Sequence, residues 1–137
     1  MRILCIDYGE KNIGLAISDP LLVTAQALDY YQPRNKKEDS DYFRKLVEMY
    51  DIQKIVVGLP LQMDGKEGSQ SEKTRRFAQW LEKELKLPFI FWDERLSTKQ
   101  ALHLLYQQKA DIQRKKKSKD KLSAAIILSS YLESLRK

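Results

Sequence analysis

Short apolar runs separated by polar turns define the strands that the sequence predicts. The runs lie at residues 3–6, 13–17, 55–59 and 89–92. Apolar runs of this length, rich in β-branched and aromatic side chains, are typical of buried strands. Residues 27–32 predict a further, antiparallel strand, which ends at Pro33 because proline has no N–H to donate to a neighbouring strand.

Apolar residues at intervals of three and four predict helices between these strands. The interval is clearest over residues 36–50, and a second helix is predicted over residues 71–85. Ser97 with Gln100 matches a capping box and predicts a helix to about residue 108. A final helix is indicated by a stripe at Leu122, Ala125, Ile126, Ser129, Leu132 and Leu135.

The order of these elements predicts an α/β fold in one domain, residues 1–137. Three strands come first, and strands then alternate with helices, which indicates an antiparallel start followed by right-handed parallel crossovers. No internal repeat or low-complexity linker divides the chain. Ligands of such sheets bind at the carboxyl ends of the parallel strands, so the residues that follow strands are the first candidates for a site.

Asp7 closes the first strand and opens a hairpin in which Gly9 and Asn12 tolerate positive φ angles. A carboxylate at the end of a buried strand is costly to desolvate unless something binds it. A metal ion, a phosphate or a cationic side chain could meet it there. The alternative is that Asp7 only caps the turn by accepting bonds from nearby backbone N–H groups.

Two further acids have the same relation to the predicted sheet. Glu94 follows the last strand, and Asp120 stands at the start of the last helix. If they converge with Asp7, their mutual repulsion raises each pKa unless a cation neutralises them. Mg²⁺ and Mn²⁺ are the natural occupants, and two such ions would support phosphodiester hydrolysis. The structural alternatives are an ion pair with Arg95 for Glu94 and an N-cap role for Asp120.

Composition narrows the chemistry. The chain has 25 Lys and Arg against 19 Asp and Glu, a formal net charge of +6, which favours a polyanionic partner. Cys5 and His103 are the only cysteine and histidine, which excludes an intrachain disulfide and argues against zinc-knuckle and Ser-His-Asp sites. No apolar stretch approaches the length of a membrane span, and Asp7 interrupts any signal-peptide core. We therefore expect a cytoplasmic protein with no membrane partner.

Basic residues near the acids are candidates for binding nucleic acid. Lys11 in the hairpin and Arg95 beside Glu94 are placed to meet phosphate oxygens if they share the edge of the acids. A basic tract precedes Asp120 directly, and its like charges cannot pair with one another. For Lys11 the alternative is plain solvent exposure, and for Arg95 it is a salt bridge. The tract consists of Arg114, Lys115, Lys116, Lys117 and Lys119.

Three more cations stand near the start of the second predicted helix, at Lys73, Arg75 and Arg76. Positive charge at a helix N-terminus opposes the macrodipole. The placement therefore suggests that these side chains serve a ligand rather than the fold.

Four motifs, taken in order, resemble those of the YqgF/RuvX family of nucleases, which have a ribonuclease H-like fold and are related to Holliday junction resolvases. The motifs are DYGxKxIG from Asp7, VGLPLxMDG from Val57, DERLST from Asp93 and DxxSAxIIL from Asp120. The match runs nearly from end to end, and the second and third motifs carry most of it.

The resemblance implies a five-stranded mixed sheet of order 3-2-1-4-5 with helices on both faces. It also implies a nuclease that depends on Mg²⁺ or Mn²⁺, with two ions expected and with Asp7, Glu94 and Asp120 as the acidic triad. Family members are assigned to processing the 5′ end of the 16S ribosomal RNA precursor in ribosome biogenesis, and earlier to resolving Holliday junctions. Other ribonuclease H-like nucleases carry an acid on the fourth strand. Residues 56–59 have none, so Asp93 or Asp64 stands as an alternative to Glu94.

Two other classes of function compete with a nuclease. The Asp-Tyr-Gly hairpin also resembles the first phosphate-binding loop of the actin and sugar-kinase superfamily, but the second glycine hairpin and the greater length of those proteins are absent. A non-catalytic nucleic-acid-binding factor in ribosome assembly is the other hypothesis, and the presence of all three acids argues against it. The sequence leaves RNA or DNA as substrate, and monomer or homodimer as the assembly, open.

Overall fold

A computed structural model describes residues 1–61, 64–94 and 120–136, with Asp120 and Lys121 described by their backbone alone. The strands and helices follow the predicted order along this part of the chain. They are β1 (Arg2–Asp7), β2 (Ile13–Ser18), β3 (Ala25–Tyr31), α1 (Lys36–Tyr50), β4 (Ile52–Leu59), α2 (Ser69–Leu85), β5 (Phe89–Asp93) and α3 (Asp120–Ser134).

The five strands form one mixed sheet in the order β3-β2-β1-β4-β5. β1 pairs antiparallel with β2 and β2 with β3, whereas β4 runs parallel to both β1 and β5. The predicted α/β class and the order implied by the resemblance are therefore confirmed. Parallel pairing places the carboxyl ends of β1, β4 and β5 at one edge of the sheet.

Several boundaries differ from the predictions: β3 spans Ala25–Tyr31 rather than residues 27–32, and two other differences have local reasons. β4 begins at Ile52 rather than at residue 55, because Asp51 ends α1 in the left-handed conformation (φ 53°) and leads the chain directly into the strand. α2 begins at Ser69 rather than at residue 71, with Gly68 as its N-cap. The helix predicted over residues 97–108 lies outside the described residues.

Alternate side chains of the strands pack on opposite faces of the sheet, as the pleat requires. The α1/α2 face joins Leu4 and Ile6 to Phe43 and Leu81 in one cluster of buried residues. The α3 face joins Cys5 to residues of the last helix, among them Ala124. Helices therefore cover both faces of the sheet, and the faces carry different kinds of side chain.

The buried surface of α3 is broader than the predicted stripe. Ala124, Ile127, Leu128 and Tyr131 pack on the sheet, whereas Leu135, which the stripe included, is 48% exposed. α3 lies across several strands, so more than one stripe of the helix is buried.

Contacts at Tyr131 fix the position of α3 along the sheet. Its hydroxyl accepts a hydrogen bond of 2.6 Å from Lys54 Nζ, and its ring meets Trp92 edge-on at 5.4 Å. Within the described residues, no helix has the length and apolar character that crossing a membrane requires.

Candidate active site

Asp7 and Glu94 meet at the carboxyl edge of the sheet, although β4 lies between their strands. Asp7 is the last residue of β1 and shares the α3 face with Cys5, two positions earlier in the strand. Glu94 follows β5, and its backbone N–H donates to the Leu59 carbonyl at 3.3 Å, which extends the pairing of β5 with β4. The two side chains hydrogen-bond to each other.

Gly58 on β4 makes this contact possible. A Cβ built at this position would lie 2.9 Å from Glu94 Oε1 and 2.7 Å from Ile127 Cδ1. The Glu94 side chain thus lies directly over the glycine, in space that any larger residue would occupy. Sequence reasoning missed this role. The available signal was a glycine inside an otherwise β-branched strand, which often marks a close approach.

Burial and mutual repulsion dominate the electrostatics of the pair. They raise the pKa of Glu94 to about 8, with burial as the largest cause, followed by the charge and hydrogen bond of Asp7 and the charge of Asp93. Burial, together with the charges of Asp7 and Glu94, also raises the pKa of the Cys5 thiol well above its ordinary value. Buried carboxylates that repel each other in this way are stabilised by a bound cation.

The direction of α3 brings Asp120 toward the same edge. Tyr131 contacts Lys54 early in β4, whereas Ile127 lies beside Gly58 near the end of that strand. The helix therefore crosses the sheet with Ile127 near the carboxyl edge. Asp120 is its first residue, about 10 Å along the axis from Ile127 at 1.5 Å per residue.

The hairpin after β1 lines a cavity of about 330 Å³ beside Asp7. Lys11, which was predicted to bind phosphate, is exposed and borders this cavity. It therefore lies close to the acid. Gly9 is required for the turn, because a Cβ there would lie 2.4 Å from the Asn12 carbonyl oxygen. A backbone atom cannot yield as a flexible side chain can.

The alternative acids take other places. Asp64 is exposed, and its carboxylate accepts a hydrogen bond of 2.9 Å from the backbone N–H of Lys66. Asp93 is the last residue of β5 and acts on Glu94 through its charge. Among the described side chains, no three His, Cys, Asp or Glu form a group that could hold a metal ion.

Several candidate residues cannot be placed. Arg95, His103 and the side chain of Asp120 lie outside the described part of the chain. So does the whole basic tract, Arg114, Lys115, Lys116, Lys117 and Lys119.

The three cations of α2 have acidic partners in the structure. Lys73 pairs with Glu10 of the hairpin, and Arg76 lies 3.6 Å from Glu72. The third cation, Arg75, pairs with an acid of the preceding loop and also covers an aromatic ring of β5. Each of the three cations thus has a partner within the fold, and Lys73 contacts the hairpin through its pair with Glu10.

The fold is that of the ribonuclease H-like resolvases. The structure resembles that of the fowlpox virus resolvase, solved with Holliday junction DNA, with a TM-score of 0.63 at 19% identity over the whole of each chain. It resembles RuvC of Thermus thermophilus, solved with a Holliday junction substrate, with a TM-score of 0.62 at 14% identity over 99% of this chain and 95% of the other.

Sequence comparison identifies the family. Residues 1–134 match RuvX, whose description is Holliday junction resolvase, and the chain belongs to this family. A protein of Koribacter versatilis named "Putative pre-16S rRNA nuclease" is 45% identical over 96% of this chain and 86% of its own. A protein of Syntrophus aciditrophicus with the same name is 45% identical over 98% of this chain and 90% of its own. The protein is therefore an enzyme of the nuclease class, a phosphodiester hydrolase.

Proposed function

We propose that this protein is a metal-dependent nuclease that processes the 5′ end of precursor 16S ribosomal RNA in the cytoplasm. The observation that carries the proposal is the contact of two carboxylates, Asp7 and Glu94, at the carboxyl edge of the sheet. The names of the relatives supply the substrate. The carboxyl edge is also where ligands bind in sheets of this kind.

The residues at this edge fit a hard divalent cation. Asp7 and Glu94 offer oxygen ligands that repel each other, and burial together with the charge of Asp7 raises the pKa of Glu94, so a cation between them would be stabilising. We propose that these two acids and Asp120 hold Mg²⁺ or Mn²⁺, with two ions expected. When bound, the metal lowers the pKa of water and neutralises charge on the phosphate.

The surrounding side chains act on the nucleic acid itself. Lys11 borders the cavity beside Asp7 and is placed to bind a phosphate oxygen there. Arg95 and the basic tract of residues 114–119 would hold the flanking backbone through charge. Contacts to phosphates position a strand without reading its bases, so recognition by shape or strand geometry is expected.

The decisive experiment compares Asp7→Asn with the wild type on precursor 16S ribosomal RNA and on a Holliday junction, with Mg²⁺, Mn²⁺ or EDTA. We expect cleavage that requires the metal and falls about 10³-fold in the variant, because a ligand of the metal that stabilises the transition-state charge is lost, while binding survives. Asp41→Asn on the exposed surface of α1 is the matched control and should cleave normally. Equal cleavage by Asp7→Asn and the wild type would overturn the site.

The basic tract has its own test. Changing Lys115, Lys116 and Lys117 together to alanine should weaken binding and make its salt dependence shallower, by up to about 0.9 in the log–log slope per lost phosphate contact on duplex DNA. The control is the same triple change to alanine at three exposed lysines elsewhere, Lys37, Lys45 and Lys83. An unchanged slope in the first variant would remove the tract from the binding surface.

Holliday junction resolution is the second candidate function. It is favoured by the description of the RuvX family and by the titles of the structures that share the fold. Cleavage of the junction but not of the RNA precursor would select it. Binding without cleavage of either substrate would instead favour a non-catalytic role in ribosome assembly.

A further inference from the structure

Three aromatic rings form a row on the α1/α2 face beside the carboxyl edge. The rings of Tyr8 and Phe77 stack at 4.6 Å, and that of Phe77 lies 5.9 Å from the ring of Trp80. All three side chains are partly exposed. They line a cavity of about 330 Å³ together with Pro33, Lys36, Asp39, Lys73 and Arg76.

The charge available to a ligand in this aromatic cavity is positive. Asp39 is buried, and its carboxylate already accepts bonds from the Tyr31 hydroxyl at 2.6 Å and the Arg34 backbone N–H at 2.9 Å. The side chains of Lys73 and Arg76 are 48% and 76% exposed and pair with surface acids. Exposed pairs of this kind are weak, so both cations can turn to a stronger anion.

Tyr8 connects this cavity to the candidate active site. It also lines the hairpin cavity that contains Asp7 and Lys11. Successive residues of a strand point to opposite faces, so Asp7 and Tyr8 stand on the two sides of one strand end. A nucleic acid strand that crosses the carboxyl edge therefore passes both cavities.

We propose that the aromatic cavity receives an unpaired base of the nucleic acid strand whose backbone lies at the acid pair. The rings of Tyr8 and Trp80 offer the base a stacking surface, and Lys36 and Arg76 meet the adjoining phosphate. Stacking of this kind accepts every base, because each has a π face. The faces of bases within a duplex are covered by their neighbours, so the substrate must present a single-stranded segment or a displaced base.

This inference rests on the proposed function and is tested by binding, which does not require cleavage. Asp7→Asn serves as the parent, so that the strand stays intact. Fluorescence anisotropy would compare its affinity for labelled single-stranded RNA, single-stranded DNA and a blunt duplex before and after Trp80→Ala. We expect the affinity for single strands to fall about tenfold and the affinity for the duplex to stay the same.

Two further variants separate stacking from damage to the fold. Trp80→Phe keeps a ring and should retain most of the affinity, whereas Tyr30→Ala removes a 39% exposed ring away from the cavity and should change nothing. An oligonucleotide that lacks bases but keeps its phosphates should bind equally to the parent and to Trp80→Ala. Thermal melting of each variant reports its folding.

The outcomes distinguish the two proposals. Equal affinity of the parent and Trp80→Ala for single strands would overturn the base cavity and leave the nuclease proposal standing on the cleavage assay. An equal loss of affinity for the duplex and for single strands would also overturn it, because the ring would then not be stacking on an unpaired base. Failure of the parent to bind any single strand would overturn the base cavity, while the nuclease proposal would be judged by wild-type cleavage alone.

Discussion

The two faces of the sheet meet different demands. The α1/α2 face is filled with large rings, and Phe43 at its centre is fully buried and contacts three other aromatic rings. The α3 face mixes small side chains, such as Ala16 and Ala124, with larger aliphatic ones, and carries Asp7 and Glu94 at its edge. The missing side chain at Gly58 leaves room for Glu94, whereas the large rings of the other face supply much of the apolar burial. The stability of the protein therefore depends mainly on the α1/α2 face, and its chemistry depends on the α3 face of the same strands.

The largest expected effect is on the α1/α2 face. Phe43→Ala should lower the free energy of unfolding by about 3–5 kcal/mol, because it leaves a cavity in the core. Denaturant unfolding measures this loss. Cleavage per folded molecule, assayed at low temperature with saturating substrate, should stay close to wild type. A loss of cleavage as deep as that of Asp7→Asn would show that the faces are not separate in function.

The next effect is expected at Gly58. Gly58→Ala should reduce cleavage about 10- to 100-fold, roughly 1.4–2.8 kcal/mol in the barrier, because the added methyl displaces Glu94. The cost in stability should stay below about 2 kcal/mol, since the atoms that it meets are the ends of flexible side chains.

A double variant tests this cause. Ile127→Val removes the Cδ1 atom that the new methyl would meet at 2.7 Å, and leaves the clash with Glu94. Adding it to Gly58→Ala should recover stability without recovering cleavage. Recovery of both would mean that packing of α3, rather than the position of Glu94, controls the activity.

The pH dependence of stability should separate the acidic edge from the rest of the protein. The pKa of Glu94 is about 8 in the folded, metal-free protein against an ordinary 4.5. Between these values the unfolded chain gives up a proton that the folded protein keeps, so stability falls as pH rises. Compared with Glu94→Gln, the wild type should lose a few degrees in melting temperature from pH 5 to pH 8. Equal slopes in EDTA would contradict the raised pKa, and Mg²⁺ should reduce the wild-type slope if the acids bind it.

The smallest effect is expected at the end of α2. Lys86 caps this helix in the left-handed conformation, φ 56°, which glycine adopts without strain. Lys86→Gly should therefore stabilise the protein by about 0.5–1 kcal/mol and leave cleavage unchanged. Lys83→Gly within the same helix is the control and should destabilise it. An altered cleavage rate in Lys86→Gly would contradict the separation of the two faces, because it would show that the α1/α2 face affects the chemistry.

The elements that depend on local pattern were predicted well, and those that depend on distant contacts were not. Helix α1 was predicted residue for residue, because its spacing and its polar flanks lie within a single segment. The start of β4 was missed, since aspartate tolerates the left-handed conformation of Asp51 but does not require it. The stripe of α3 was drawn too narrow because its burial depends on how many strands the helix crosses.

The candidate site was predictable only as a set of separate acids. The position of Asp7 at a strand end follows from the local pattern. Its contact with Glu94 depends on the order of β1, β4 and β5 in the sheet and on the missing side chain at Gly58. The residues next to the two acids predict neither of these. The sheet order was predicted from the family resemblance, not from periodicity. The function of Asp120 and of the basic residues beyond Glu94 stays a prediction.

Because Asp7 and Tyr8 are adjacent and point to opposite faces of the sheet, the length of the hairpin affects function. β1 pairs with β2 so that Asp7 lies opposite Gly14. A slip of one position in such a pairing sends every side chain of the strand to the other side of the sheet. It would turn the carboxylate toward α1 and α2 and the phenol ring toward α3, with the backbone ladder still intact. Insertions or deletions of one residue between β1 and β2 should therefore be far more harmful to this enzyme than exchanges of exposed side chains, such as Glu10, in the same turn.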